Sequence, residues 1–295
     1  MLLQALHTTT YSYSESVSFC HTQVHLKPCN SHNQRLIEHQ LIVEPEPSAI
    51  ATHYDFFRNE VSVLSIDEPH TTLRITAKNL LENSDSEGIH PALTPPWEHV
   101  REAVREYRTD EAFAAFQFTL DSPRVAIKQS FADYARPSFT AGRPFLQGAL
   151  ELNQRIFADF KYDQTATTVT TAVEQAFRTR HGVCQDFAHV MIACLRSLGL
   201  PARYVSGYLR TSDSLVGASA SHAWIAIYCP GFGWIDLDPT NNLIPTTDHV
   251  TIGWGRDYSD LPPVKGVALG GGEQTVAVEV YVTPHFIEPK DESDE

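Results

Sequence analysis

Residue types that cooperate in nucleophilic catalysis follow one another in the second half of this chain. Cys184 stands in "RHGVCQDFAHVMIACLRSLGL", His222 in "SHAWIAIY", and two carboxylates, Asp236 and Asp238, in "GWIDLDPT". A cysteine attacks a carbonyl carbon as its thiolate, and it needs a base together with a group that orients the base. The order of these residues indicates a thiol nucleophile assisted by an imidazole and a carboxylate.

Cys184 is predicted to begin a helix. Apolar residues recur every three or four positions from Val183 to Leu198, Gly199 is typical of a C-terminal cap, and Pro201 prevents continuation. In a first helical turn the backbone N–H groups lack partners and the dipole is positive, and both effects favour a thiolate. The alternative is an inert buried cysteine, which is how we interpret Cys194 on the apolar stripe.

The base is predicted to be His222. His189 lies five residues after Cys184, which places it about 140° further around the helix axis and a turn away. His222 instead opens an alternating strand. Strand alternation does not choose between Asp236 and Asp238, because both have the same parity. Asp238 is favoured because the proline that follows holds it in an extended conformation at the strand end.

The elements that must position these residues form two regions. Residues 1–90 are predicted to be a small β-rich domain, with strands such as "EVSVLSI" and "TTLRITAKNL". A polar, then proline-rich stretch after Leu81 marks the boundary. Residues 91–295 are predicted to be the catalytic domain, with its core at about 145–245. Helical spacing appears in "WEHVREAVREY", "RVAIKQSFADYA" and "FLQGALELNQRIFADF", and strand alternation in "TVAVEVYV". This order predicts an α+β fold without regular βαβ alternation.

The composition excludes several classes of function. Lys and Arg number 22 against 36 Asp and Glu, giving a formal net charge of −14, whereas nucleic acids and anionic membranes attract basic surfaces. The N-terminus has no signal-peptide pattern, and no apolar run reaches the roughly 18 residues of a membrane span. Five cysteines without a disulfide spacing favour a reduced, cytoplasmic protein.

A metal site is the weakest of the functional alternatives. The segment "CHTQVHLKPCNSH" clusters five potential ligands, but it lacks paired CxxC knuckles, and neighbouring residues of a strand would face opposite sides. The sequence therefore predicts neither a metal nor a cofactor. The ligand types in this segment are Cys20, His21, His25, Cys29 and His32.

The motifs "GVCQDFAH", "SHAWIAIY" and "GWIDLDPTN" resemble the three catalytic blocks of the transglutaminase-like superfamily. "YDFFRNEVSVLSIDEPHTTLRITA" is similar to the bacterial transglutaminase-like N-terminal region, and "WGRDYSDLPPVKGVALGGGEQTVAVEVYV" to the C-terminal part of that bacterial subgroup. The resemblance implies a papain-like core, in which a cysteine at a helix N-terminus packs against an antiparallel sheet that carries histidine and aspartate. It also implies the triad Cys184, His222 and Asp238, because the aspartate of the "DPT" block is the family's triad member.

The resemblance implies an enzyme that cleaves amide bonds of a peptide or peptide-like substrate through a thioester, with no cofactor. Acyl transfer to an amine, as in a transglutaminase, is one alternative, and a catalytically silent binding module is another. Tyr162 is a candidate oxyanion-hole donor, although a packing role fits it too. Trp224, Arg256 and Tyr258 are candidates for contacts with substrate, and a salt-bridged surface turn is an equally good interpretation of "WGRDYSD".

Overall fold

The computed structural model describes residues 1–85, 88–211, 215–217 and 220–285. Strands precede the helical region, and a mixture of helices and strands follows. The first strands are β1 (Leu2–Val24), β2 (Gln34–Glu44), β3 (Ala49–Tyr54), β4 (Glu60–Ile66) and β5 (His70–Asn83). The helices are α1 (Trp97–Arg105), α2 (Asp110–Phe116), α3 (Gln129–Ala135), α4 (Phe145–Asp159), α5 (Val173–Thr179) and α6 (Cys184–Ser197). The later strands are β6 (Lys161–Tyr162), β7 (His181–Gly182), β8 (Ala202–Leu209), β9 (His222–Cys229), β10 (Gly233–Leu237), β11 (His249–Gly255), β12 (Val264–Gly270) and β13 (Gln274–Pro284).

The residues with candidate chemistry are positioned by α6 and an antiparallel sheet of order β10-β9-β8-β11. The helix packs on β8 and β9, because its apolar side chains meet the apolar side chains that these strands turn towards it. Successive residues of β9 alternate between two buried layers: Ile225 and Ile227 face α6, whereas Trp224 and Ala226 face the opposite side. The predicted α+β core, with a cysteine at the start of a helix against an antiparallel sheet, is confirmed.

The second sheet is built around β1, which is paired along both of its sides. Its order is β2-β5-β1-β4-β3, and β12 and β13 pair with the remaining side of β1. Residues 2–12 of β1 pair with β5, and residues 3–13 pair with β13. Both neighbouring strands run antiparallel to β1. The apolar side chains of this sheet form a cluster of their own that includes Val17, Leu64 and Ile75.

The C-terminal strands depart from the domain bounds expected from the sequence. We expected residues 91–295 to belong to the catalytic domain, but β12 and β13 complete the sheet of residues 1–90. Val280 and Val282 are buried, and Val276 and Val278 of the same strand are exposed. Alternation identifies a strand, but it does not reveal which distant strand will be its neighbour. The second helical segment also starts later than its spacing indicated, at Gln129 rather than near Arg124.

The two sheets pack against each other through an apolar cluster. Leu3, Ala5 and Val282 from the β1 sheet meet Tyr208 and Val250 from the sheet of β8 and β11. The β-rich region is therefore packed on the sheet that carries the candidate catalytic residues. Among the helices of the described ranges, none is long and apolar enough to cross a membrane.

Candidate active site

Cys184 is the first residue of α6, and its neighbours fix the turn that precedes the helix. Val183 is extended, and its N–H donates to the Asp186 carboxylate at 2.8 Å, which caps the helix start. A Cβ on Gly182 would lie 2.5 Å from an oxygen of the same carboxylate, so this position needs glycine. The thiol thus lies where the first N–H groups of a helix lack partners within the helix. Cys184 is 8% exposed.

His222 is bound to Asp238 through one ring nitrogen only. Its Nε2 lies 2.8 Å from Oδ2 of Asp238, and both side chains are fully buried. Among the described residues, Nδ1 has no hydrogen-bond partner, and Cys184 lies close enough to influence the imidazole. Because Asp238 occupies Nε2, Nδ1 is the nitrogen available for a proton exchange with Cys184.

Within the part of the chain that the structure describes, the Asp238 carboxylate accepts hydrogen bonds from five donors. The backbone N–H groups of Thr240 and Asn241 donate to Oδ1 at 2.9 and 3.2 Å, which is the turn that aspartate side chains form with residues shortly after them. Oδ2 accepts from Nδ2 of Asn241 at 2.8 Å, from Nε2 of His222 and, at 3.3 Å, from Nε2 of His249. So many donors can hold a buried carboxylate ionised.

Charge and burial act in opposite directions on the His222–Asp238 pair. Burial alone would lower the pKa of His222, but the charges of Asp238 and Cys184 outweigh it and raise the pKa to about 10. Burial alone would raise the pKa of Asp238, but His222 and His249 hold it well below its usual range. The paired carboxylate therefore favours the protonated form of the His222 imidazole.

Two tyrosines lie near Cys184. Tyr162 pairs with Gly182 across the short parallel strands β6 and β7, and burial followed by the charge of Cys184 raises its pKa. This position fits the predicted oxyanion role for Tyr162. Tyr204, on β8, is buried, and burial followed by Cys184 raises its pKa well above the usual value. Tyr204 could not be predicted from the sequence, because it looks like an ordinary strand residue.

Trp224 lies behind His222 rather than on an open surface. Its ring stacks on the imidazole with centroids 6.0 Å apart, it is fully buried, and its indole N–H donates to Asp236 at 3.1 Å. Trp224 therefore supports the imidazole, and Asp236, the carboxylate not favoured by the sequence, supports Trp224.

Arg256 and Tyr258 occupy different surroundings. Arg256 forms an ion pair with Asp260 at 2.7 Å and lines a cleft of about 570 Å³ together with Phe56 and other residues, none of which belongs to the triad. Tyr258 is half-buried, and its ring lies edge-on to Tyr204 with centroids 6.4 Å apart. Tyr258 therefore lies next to Tyr204, which is itself near Cys184, whereas Arg256 lies on the separate cleft.

The remaining candidates of the sequence analysis are placed elsewhere. Cys194 is fully buried within α6, and burial raises the pKa of its thiol. In the segment considered for metal, Cys20 is buried whereas the adjacent His21 is exposed on the other face of β1. Within the described ranges, no group of three or more potential ligands is close enough together to hold a metal ion.

Two family models match the chain. The model of the transglutaminase-like superfamily matches residues 133–239, and that of the bacterial transglutaminase-like N-terminal region matches residues 3–82. An uncharacterised protein of Mycobacterium tuberculosis is 38% identical over 292 residues, which cover 94% of this chain and 91% of that protein. The chain belongs to the transglutaminase-like superfamily.

Further members differ in how much of the chain they cover. A protein-glutamine gamma-glutamyltransferase of Pseudomonas aeruginosa is 31% identical over 124 residues, or 40% of this chain and 18% of that protein. The crystal structure of a candidate cysteine protease from Cytophaga hutchinsonii covers 98% of this chain and 95% of its own, with a TM-score of 0.74 and 22% identity. That structure shares the fold of this superfamily member.

Proposed function

We propose that this protein is a thiol-dependent amide hydrolase that acts on a peptide or peptide-like substrate. The single observation that carries the proposal is the state of His222: its Nε2 is bound to the buried Asp238, and its Nδ1 is free beside Cys184. A base oriented by a carboxylate and adjacent to a thiol at a helix start is the arrangement that nucleophilic catalysis requires.

The reaction would proceed in two halves. In the first, the Cys184 thiolate forms a bond to the amide carbonyl carbon, and His222 donates its Nδ1 proton to the nitrogen as the C–N bond breaks. The amine leaves and a thioester remains. In the second, Nδ1 of His222 takes a proton from water, whose oxygen attacks the thioester. The C–S bond then breaks, and the carboxylic acid and the thiolate are released with His222 protonated again.

Neighbouring groups would stabilise the charges that develop during these steps. Asp238 keeps the proton of His222 on Nε2 and stabilises the imidazolium. The backbone N–H of Cys184, at the start of α6, is available to the oxyanion of the tetrahedral intermediate. Tyr162 is proposed as a second donor, because the residue is half-buried and its backbone pairs with that of Gly182, two residues before Cys184.

Transfer of the acyl group to an amine is the second candidate function. The observation that favours it is the similarity to the Pseudomonas aeruginosa protein-glutamine gamma-glutamyltransferase over 124 residues. The chemistry of the thioester is the same in both cases, and the outcome depends on whether water or an amine attacks it. A binding module without turnover is the remaining alternative.

The experiment is an incubation of the purified protein with a peptide library, with and without a primary amine, followed by mass spectrometry. Hydrolysis predicts cleaved or deamidated peptides in both samples, whereas acyl transfer predicts amine adducts in the second. Cys184→Ala should abolish both products, and the matched variant Cys194→Ala, on the same helix, should retain them. Products that persist in Cys184→Ala, or no products with any peptide, would refute the proposed function.

The cysteines support a proposal about the compartment. All five are free thiols in the structure. Because free thiols persist in reducing surroundings, we propose that the enzyme works in the cytoplasm.

A further inference from the structure

His249 is a second histidine on the catalytic carboxylate. It opens β11, is 5% exposed, and its Nε2 lies 3.3 Å from Oδ2 of Asp238, the same oxygen that binds His222. The proposed reaction gives His249 no role, and its ring does not contact the thiol in any described hydrogen bond.

The hydrogen bonds of His249 fix which nitrogen carries the proton. The backbone N–H of Thr246 donates to Nδ1 at 3.4 Å, so Nδ1 is an acceptor. In the neutral ring Nε2 then carries the hydrogen, and it donates to Asp238. Asp238 consequently receives imidazole N–H groups from two directions.

The surroundings hold the ring of His249 firmly. The indole of Trp224 meets it edge-on, with centroids 5.3 Å apart. The carbonyl oxygens of Thr247 and His249 accept hydrogen bonds from Nδ2 of Asn83 at 3.0 and 2.8 Å. Asn83 ends β5, so the β-rich region anchors the start of the strand that presents His249.

The charged groups around His249 lie on the neighbouring elements. Asp236 on β10 interacts with it by charge, Asp238 follows the same strand, and His222 begins β9 with its ring centroid 6.4 Å away.

We propose that His249 is a positioning residue that holds the Asp238 carboxylate in the orientation required by His222. Three donors on Oδ2, from His222, Asn241 and His249, leave the carboxylate little freedom to rotate. Removal of the His249 donor loosens the hold on Oδ2, and the imidazolium of His222 loses part of its stabilisation. The inference rests on the proposed function, since it assigns a role in the reaction of Cys184.

The test compares His249→Phe, which keeps a ring and removes the donor, with His249→Gln, whose amide nitrogen can occupy the position of Nε2. His249→Phe is expected to lower kcat by about ten- to hundredfold with KM within about twofold, since a small misplacement of a catalytic group costs this much. His249→Gln should recover most of kcat. The control His70→Phe also replaces a buried histidine, whose Nδ1 binds the Glu68 carbonyl, and should keep kcat.

A second readout requires no substrate. The rate at which iodoacetamide alkylates Cys184, followed against pH, reports the formation of the thiolate–imidazolium pair. In His249→Phe its midpoint should move to higher pH, and in His249→Gln and His70→Phe it should stay near that of the parent protein. An unchanged midpoint and kcat in His249→Phe, or a His249→Gln variant as impaired as His249→Phe, would overturn the inference.

The two proposals fail in different ways. If the parent protein shows no turnover that depends on Cys184, the proposed function is wrong. The alkylation profile still decides whether His249 positions Asp238, because it depends only on the thiol, the imidazole and the carboxylate. Thermal unfolding of each variant detects a general loss of structure. Such a loss would lower the melting temperature, and His249→Gln would then not recover activity.

Discussion

The side-chain amide of Gln34 in β2 forms two hydrogen bonds with the backbone of Thr251 in β11, as a paired strand would. Its Nε2 donates to the Thr251 carbonyl and its Oε1 accepts from the Thr251 N–H, both at 2.7 Å. Asn59 makes the same pair of bonds with Trp254, at 2.8 and 3.0 Å. Because β11 is the edge strand of its sheet, these two amides satisfy backbone groups that an edge leaves unpaired.

Gln34→Ala is expected to lower the free energy of unfolding by about 2 kcal/mol, because it removes both hydrogen bonds between the amide and the partly buried backbone of Thr251. Urea unfolding measures the change. Gln40→Ala, at an exposed position on the same strand, should change it by less than about 0.5 kcal/mol. Equal stability of the two variants would mean that water replaces the amide without loss.

Cys184 is expected to react with iodoacetamide at neutral pH at least about tenfold faster than Cys194, whose pKa is raised by burial. His222→Ala should slow the labelling of Cys184, because the cation that favours the thiolate is removed. Peptide mass spectrometry of timed samples gives both rates. Slow labelling of both thiols in the folded protein would contradict a thiolate at Cys184.

Gly217→Ala is expected to reduce kcat/KM by about ten- to hundredfold, because the added Cβ would lie 2.9 Å from Nδ1 of His222. Gly217 has a φ of +93°, so the substitution also strains the backbone. Gly231→Ala is the matched control: its φ is +83° and no atom lies within 4 Å of the added Cβ. A similar loss of activity in both variants would show that strain alone is responsible.

The buried His7 is expected to lower the free energy of unfolding at acid pH. Its ring is buried between the two sheets, and burial lowers its pKa from 6.5 to about 4. Between these values the unfolded chain binds the proton and the folded chain does not. The contribution of neutral His7 is therefore complete above about pH 6.5 and is lost as the pH falls towards 4, by about 3 kcal/mol in all.

His7→Phe should reduce this loss, measured as the free energy of unfolding in urea at a series of pH values. Part of the loss should remain, because burial also lowers the pKa of His189 to about 4. His53→Phe, at an exposed position, should follow the parent protein. If the acid dependence of His7→Phe matches that of the parent protein, the ring of His7 is not the group that titrates.

Local sequence features predicted the elements that carry the site. Helical spacing from Val183 to Leu198, with the stop signals at Gly199 and Pro201, placed the thiol at a helix start, where the structure has it. The proline after Asp238 singled out that carboxylate at the end of β10, and the structure joins it to His222. Each of these signals depends on residues only a few positions apart.

Features that depend on the pairing of distant strands could not be predicted in this way. His249 reaches Asp238 only because β11 pairs with β8, and nothing near His249 in the sequence specifies that neighbour. Gln34 and Asn59 read as ordinary polar residues until β11 is known to lie beside them. The pairing of β13 with β1 was missed for the same reason, since alternation predicts a strand and not its partner.

The pairing of Leu3 with Pro284 gives the fold a high contact order. The β-rich sheet is completed only after β12 and β13 have been synthesised, because among the described strands these two pair with that side of β1. Until then, the backbone N–H and C=O groups along that side of β1 are unpaired and can bind a strand of another chain. A fragment that ends near residue 90 would lack β12 and β13 and would stay prone to this aggregation.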